Sequence, residues 1–565
     1  MLHAHGPLLT VDVGDRTTRT TAVDDVLASY VGGRGVNARL AHERIPFDVD
    51  PLGPENRLYL STGPLQQSTM SFTGRMSATA VSPLTGGLAS SNAGGFLSRN
   101  FAGAGNAVVE FVGASDEPLA VHVRDDGVEF EAVPDLAGAE VPEVTRYMNE
   151  HHGLEAEHIA CIGPAGENEV RFAAIMTTES RAFGRTGLGA VLGSKNVKAV
   201  TFDGDAAPDI DVPDVAMDIH RDAATSDSIM KRQGTASVTD LANEVGSFPS
   251  YYFEDVRYDK YEGINGDRVE EKKYKKGTCS QCAFACKLPT RDEATGVETE
   301  GPEFETIMAY GGNCDVDDIV EVMRSNELCD RLGMDTISAG NTVAAYLKSE
   351  DEFGNVDLVH ETTKKIARRE GIGDLLAEGI HRVHEDLGVE DWTVKGMSFS
   401  AHDGRTLNGQ GLGFATANRG ADHMYATFYA WEYPLVDKSE AFDPTGLSEA
   451  KVETLVEQEN VRALEDCGVI CRFSRGEMSP ERFSALFDAG WDDLLDVGAR
   501  VVALERHFNN QRGFDRDDDD LPYDLPEFEE HLDVYYEKRG WSAEGVAPDP
   551  TADEAGAGGG TPADD

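Results

Sequence analysis

Basic residues are scarce in this chain: 50 Lys and Arg stand against 102 Asp and Glu, a formal net charge of −52 over 565 residues. A surface of that sign repels phosphate backbones and anionic lipid headgroups, which excludes nucleic acid and membrane as partners. The acidic excess is spread along the whole chain, as suits a protein kept in concentrated salt, where charge is screened over a few Å; a halophilic setting is expected. Long apolar runs are also missing. No stretch approaches the about 18–20 residues of a membrane span, and the start, MLHAHGPLLTVDVGD, has neither a basic segment nor an apolar core like a secretory leader. Cysteine is rare, eight in all, far below the density of a disulfide scaffold. These absences predict a soluble, cytoplasmic, reduced protein, and the length predicts two to four domains.

Against that scarcity, three cysteines fall within eight positions: Cys279, Cys282 and Cys286 in CSQCAFAC. A short loop turning three thiols inward is a cage for a soft metal. Zinc prefers paired C-x-x-C motifs, and no second pair follows. Three close cysteines plus one remote is the pattern of a [4Fe–4S] cluster, with zinc as the second reading. Among the remote thiols Cys471 and Cys467 are candidates and Cys314 is nearer. Cys329 falls on the apolar face of a helical pattern and reads as a core residue. A remote fourth ligand would pin the last part of the chain to the middle one and place the cluster at their seam.

The first third is rich in glycine and β-branched runs. LLTVDVG, AVVEFVG, LAVHVR and VKAVTF read as strands, with STMSFTGRM and SPLTGGLASSNAGGF as long loops between them. The polar, proline-containing DGDAAPDIDVPD marks a boundary near 206. From there to about 395 the chain reads as mainly helical. Gly333 is placed as a helix C-cap and Asp335 as the N-cap of the next helix. The last third also reads as helical, broken by a glycine-rich loop over DGRTLNGQGLGFATANRGADH, and the tail from 545 reads as disordered. The expected class is α+β multidomain: a β-rich domain over 1–206 packed on two mainly helical domains over 207–395 and 396–544, then an acidic tail over 545–565.

GRTGLGAVLGSK, Gly184 to Lys195, fails both strict nucleotide patterns, because Ser194 precedes Lys195 and the glycine spacing is one residue too long. What remains is a backbone able to approach an anion, with helix-start amides aimed at it. DRLGMD (Asp330 to Asp335) and DCGVIC (Asp466 to Cys471) share one form, an aspartate opening a turn after a helix. A carboxylate there can accept from a donor-rich flat heterocycle; ordinary capping is the plainer reading of either alone.

Taken in order, GGRGVNARL, TGRMSATAVSPLTGGLASSNAGGF, SRAFGRTGLGAVLGSKNVKAV, CSQCAFAC, GPEFET, DRLGMDTISAGNT, NRGADH and FNNQRGFDRDDDDLP make the chain resemble the tungsten-containing aldehyde ferredoxin oxidoreductases over nearly its whole length. The resemblance implies a tungsten (or molybdenum) bis-pterin at the junction of the N-terminal β domain with the helical domains. The metal is held by dithiolene sulfurs and by no side chain. It implies that Arg75 and Arg181 contact the pterin phosphates, that the Asn92 and Ala182 carbonyls bind a Mg2+ joining them, and that Asp330, Asp335 and Asp466 grip the pterins. It assigns Cys279, Cys282, Cys286 and Cys471 to the [4Fe–4S] cluster. Glu305, with Glu303 as the register alternative, and His423 become the catalytic pair, Glu305 removing a proton and His423 donating to the developing oxyanion. The aldehyde is then the substrate and ferredoxin the electron acceptor.

There are departures. Val469 stands where the second turn usually has glycine, which puts the backbone at Asp466 in question. Some family members bind iron at a dimer interface through Glu and His. The helix expected over 316–332 has no E-x-x-H, so no such iron is expected, and a homodimer stays compatible. The rival readings are a tungstopterin reductase of activated acids or aromatic thioesters, a non-catalytic iron–sulfur electron-transfer subunit, and a zinc-stapled structural protein.

Overall fold

The computed structural model describes residues 1–433 and 435–552. Twelve strands in the first 203 residues form two six-stranded sheets. The first contains β1 (Leu8–Asp12), β2 (Thr17–Thr21), β3 (Leu58–Ser61), β4 (Arg75–Val81), β5 (Leu88–Gly94) and β6 (Val108–Val112), in the order β2-β1-β6-β3-β4-β5. The second contains β7 (Leu119–Arg124), β8 (Gly127–Ala132), β9 (Ile159–Cys161), β10 (Ile175–Thr177), β11 (Arg181–Phe183) and β12 (Val197–Asp203), in the order β11-β10-β9-β12-β7-β8. Only β1 with β6 and β7 with β12 run parallel; the other pairs are antiparallel. One apolar core joins the sheets, with Val11, Phe111, Val121 and Phe202 all buried in it.

The four runs with alternating β-branched residues are strands β1, β6, β7 and β12. The segment LASSNAG, expected to be loop, is strand β5, paired with β4 along its whole length from Arg75↔Gly94 to Val81↔Leu88. Its small and polar residues hide the strand from propensity, since they answer to close neighbours on the cavity side rather than to a pleated apolar face.

Helix α1 (Gly33–Arg44) leaves the first sheet and packs on two long C-terminal helices, α4 (Glu449–Gly468) and α5 (Trp491–Gln511). Val36 and Leu40 of α1 share a core with Leu464 of α4 and Val501 of α5; each such burial contributes roughly 1.5–3 kcal/mol. The middle of the chain supplies α2 (Ile319–Leu332) and α3 (Thr336–Glu350). Gly333 caps α2 at φ 78°, and Asp335 caps α3 by accepting from the Ser338 amide at 2.8 Å.

Two glycine-rich stretches differ from expectation. Asn408–Thr416, expected to be loop, is a fully buried helix. A Cβ on Gly409 would come within 2.2 Å of the Phe428 ring, so glycine here serves close packing. Gly187, Gly189 and Gly193 lie against backbone carbonyls of Arg171, Ala174 and Gly166, where a Cβ would meet oxygen at 2.1, 2.5 and 1.9 Å. Those glycines let two backbones touch and are not spare space for an anion. Residues 553–565 of the expected tail lie outside the described residues. Just before them the buried Ala547 donates its amide to Asn510 Oδ1. No helix among the described residues is long and apolar enough to cross a membrane.

Candidate active site

Cys279, Cys282, Cys286 and Cys471 line one small pocket, walled by Phe72, Phe284 and Phe473. The N-terminal loop STMSFTGRM gathers them. Phe72 O accepts the Cys471 amide at 2.8 Å, Ser71 Oγ accepts the Ala283 amide at 2.9 Å, and Gly95 O accepts the Ser280 amide at 2.9 Å. The seam therefore has a third member: the β domain is the template on which the remote cysteine meets the other three. Cys467 is buried instead against Gly35 of α1, and Cys329 packs in the core beside the Tyr310 hydroxyl.

Burial pushes the Cys282 and Cys286 thiols up. Burial acts the same way on Cys279, but Lys287, Arg181 and Arg75 outweigh it and bring that thiol below its usual range. A dry pocket of this kind disfavours bare thiolates and suits sulfurs that share their charge with bound metal.

Two larger cavities, about 210 and 220 Å³, lie alongside and share Arg75, Asn92, Ala182 and Ile337 as lining. Arg75 alone of these also lines the cysteine pocket. The first cavity holds Asp466, His423 and four arginines: Arg75, Arg185, Arg419 and Arg472. The second holds Arg181, Asp330, Asp335, Glu303 and Glu305. Asp422 and Asp466 in the same lining pair with Arg419 and Arg472, so the arginines outnumber the carboxylates that face the cavity.

The carboxylates expected to grip a heterocycle differ in how free they are. Asp466 is fully engaged: Oδ2 pairs with Arg34 at 3.1 Å and Arg472 at 2.8 Å, and Oδ1 accepts from Asn92 Nδ2 at 2.6 Å. Burial raises its pKa, but Arg472, Arg34 and Arg419 outweigh that and hold it below the usual range. Asp330 is half-buried with weak partners, Asn326 Nδ2 at 3.1 Å and the Thr299 hydroxyl at 3.3 Å. Burial, only partly countered by Arg181, pushes it up to about 7. Arg181 pairs with Glu300. Val469 takes the left-handed cap at φ 52° that glycine would favour, and its amide reaches Glu465 O. The turn thus keeps its form with a valine in it.

Glu305 and His423 come together, with Oε1 to Nε2 at 3.3 Å. Oε2 accepts the Ala401 amide at 2.7 Å, whereas Oε1 has no hydrogen-bond partner. Glu303 lines the same cavity but accepts from the Thr235 hydroxyl at 2.5 Å. Sequence reasoning missed His402. Its Nε2 is 3.6 Å from Glu305 Oε1, its Nδ1 is 2.9 Å from the Tyr433 hydroxyl, and its ring stacks on Tyr429 at 3.7 Å. Burial, then the neighbouring His423, holds it well below the ordinary histidine range, so it is neutral. Nothing in SAHDGR singles the histidine out, and its backbone at φ 69° is a strained conformation that sequence does not announce.

The family profile for the aldehyde ferredoxin oxidoreductase N-terminal domain matches residues 8–204, and that for domains 2 and 3 matches residues 214–556. The chain belongs to the aldehyde ferredoxin oxidoreductase family. It is 32% identical to the tungsten-containing aldehyde ferredoxin oxidoreductase of Pyrococcus furiosus over 98% of both chains, and 33% identical to that of Thermococcus kodakarensis over 94% and 95%. It is 26% identical to the aliphatic sulfonate oxidoreductase, WOR-like subunit, of Pyrococcus furiosus, over 98% and 97%. The fold is that of the BamBC active-site complex of benzoyl coenzyme A reductase, with a TM-score of 0.81 at 22% identity over 98% and 97% of the chains. As a member of this family the chain is an oxidoreductase, with a sheet-rich N-terminal domain and helical domains behind it. The two cavities and the cysteine pocket lie where these parts meet.

Proposed function

We propose that this protein oxidises aldehydes to carboxylic acids in the cytoplasm, using a tungsten bis-pterin, and passes the electrons through a [4Fe–4S] cluster to ferredoxin. The observation that carries this reading is the position of Arg75, which lines the four-cysteine pocket and both large cavities at once. Unpartnered buried atoms at the cavities, Asn92 Oδ1, Arg185 Nε and His423 Nδ1, fit a polar guest. When bound, the bis-pterin centre, with tungsten or molybdenum, would provide the two-electron sink and the cluster a single-electron outlet.

Holding that group falls to the chain. Arg75 and Arg181 suit the pterin phosphates through charge-assisted hydrogen bonds. The Asn92 and Ala182 carbonyls suit a Mg2+ between them, since a hard cation takes oxygen ligands. Asn92 O already accepts from Arg75 Nη2 at 2.7 Å. Asp330 and Asp335 suit the donor edge of one pterin. Asp466, fixed by two arginines, suits the second less as a free acceptor than as the anchor that orients Arg472 and Asn92.

An aldehyde and water yield the carboxylic acid, two protons and two electrons. Glu305 Oε1 is the oxygen free to take the proton from the attacking water, because Oε2 is bound to the Ala401 amide. His423 Nε2, on the same side, donates to the carbonyl oxygen as charge develops there. A panel of aldehydes assayed anaerobically with ferredoxin and with a viologen dye tests the reading. Aldehyde-dependent reduction of both acceptors supports it. Turnover only of an activated acid or thioester with reduced dye would assign the protein to the reductase alternative.

A further inference from the structure

Outside these cavities, three metal-type donors converge in the second sheet. His122 on β7 and Glu131 on β8 share one face, because Ala120 lies opposite Glu131 and His122 opposite Glu129. His152 closes the helix Val141–His152, which covers that face. Glu131 Oε2 is 3.1 Å from His122 Nε2 and 2.9 Å from His152 Nε2, and the three donor atoms lie within 4.8 Å of one another.

We propose that His122, Glu131 and His152 form a binding site for a divalent cation of the zinc type. Ligands at about 2.0–2.1 Å in a tetrahedron stand about 3.3 Å apart, so each imidazole needs to move from the Glu131 oxygen by only a few tenths of an ångström. Two of the three donors are already aimed by a neighbour. The Thr201 hydroxyl lies 2.8 Å from His122 Nδ1, and β12 places Thr201 directly opposite His122. With that hydroxyl accepting from Nδ1–H, Nε2 presents a lone pair. The Tyr147 hydroxyl donates to Glu131 Oε1 at 2.8 Å, leaving Oε2 to the site. Two imidazoles select zinc over the hard cations that the many surface carboxylates would take. The fourth position is left for water, and the ion would tie the helix to the sheet.

The test uses the full-length holoenzyme, dialysed against micromolar zinc chloride, with zinc, iron and tungsten counted by mass spectrometry. One additional zinc per chain is expected, absent in His152→Ala and in Glu131→Gln. In Thr201→Val affinity falls by about 10–100-fold. Iron, tungsten and aldehyde turnover stay at the wild-type level throughout. Failure of the wild type to take up zinc, or equal uptake by both ligand variants, overturns the proposal. Should a variant fold poorly, the zinc K-edge absorption spectrum of the wild type decides. Two imidazoles with oxygen support the site, and sulfur ligands contradict it.

Discussion

Arg75 Nη1 stands 3.9 Å from Cys471 Sγ, while Nη2 of the same guanidinium donates to the Asn92 carbonyl at 2.7 Å. One side chain thus touches both halves of the proposed electron path. Reducing a cluster adds negative charge, which a neighbouring cation stabilises. Arg75→Ala is expected to lower the cluster potential by on the order of tens of mV, and Arg75→Lys by less. A redox titration followed by electron paramagnetic resonance reads both shifts, and equal potentials in all three proteins would count against the contact.

Cys471 and Cys467 separate cleanly. Cys471→Ser is expected to keep the pterin but to lose intact cluster and ferredoxin reduction. Cys467→Ser is expected to keep full iron content and to lower the melting temperature, because it puts a hydroxyl into a buried apolar site at a cost of roughly 1–3 kcal/mol. Iron counting and thermal melts distinguish the two.

In the pocket, Glu305→Gln is expected to lower kcat by about 10²–10⁴-fold with metal content unchanged. Glu303→Gln, which weakens only the Thr235 contact, is expected to leave kcat within a few-fold of wild type. The reverse ranking would move the proton acceptor to Glu303.

His402 bears on the pH profile. Burial and the neighbouring His423 hold it well below the ordinary histidine range, so the profile is not expected to report its titration. His402→Phe keeps the stack on Tyr429 but loses the bond to Tyr433. It is expected to lower kcat by about tenfold without moving the profile. A shifted profile would show that His402 itself titrates.

Asp330 links the fold to pH. Its folded pKa of about 7 lies above the ordinary aspartate value, so the native state binds the proton more tightly than the unfolded one. Its favourable contribution is complete below about pH 4 and is lost as pH rises to about 7. In the cofactor-free protein, melting temperature is expected to fall across that window, and Asp330→Asn is expected to flatten the fall. An unchanged slope in the variant would contradict a raised pKa for this weakly partnered carboxyl.

The fold class was legible because it rests on periodicity: β1, β6, β7 and β12 alternate plainly, and Gly333 and Asp335 punctuate the helices around them. Strand β5 and the helix Asn408–Thr416 were not, since glycine, serine and asparagine there record close approach by neighbours distant in sequence. The spacing of CSQCAFAC marked three thiols that the structure does gather in one pocket with Cys471. The fourth thiol stayed ambiguous between Cys467 and Cys471, because only the packing of α1 decides which one turns into the core. Val469 shows the limit from the other side. A residue that argues against a turn can still occupy it when the surrounding core fixes the backbone.

The measurement that bears most directly on the central claim is the metal content of anaerobically purified protein, taken with its aldehyde-dependent ferredoxin reduction. The arrangement of four cysteines beside two cavities predicts about four irons and one tungsten or molybdenum per chain in active protein. Iron without either group-6 metal, or zinc in place of iron at the four cysteines, would contradict it.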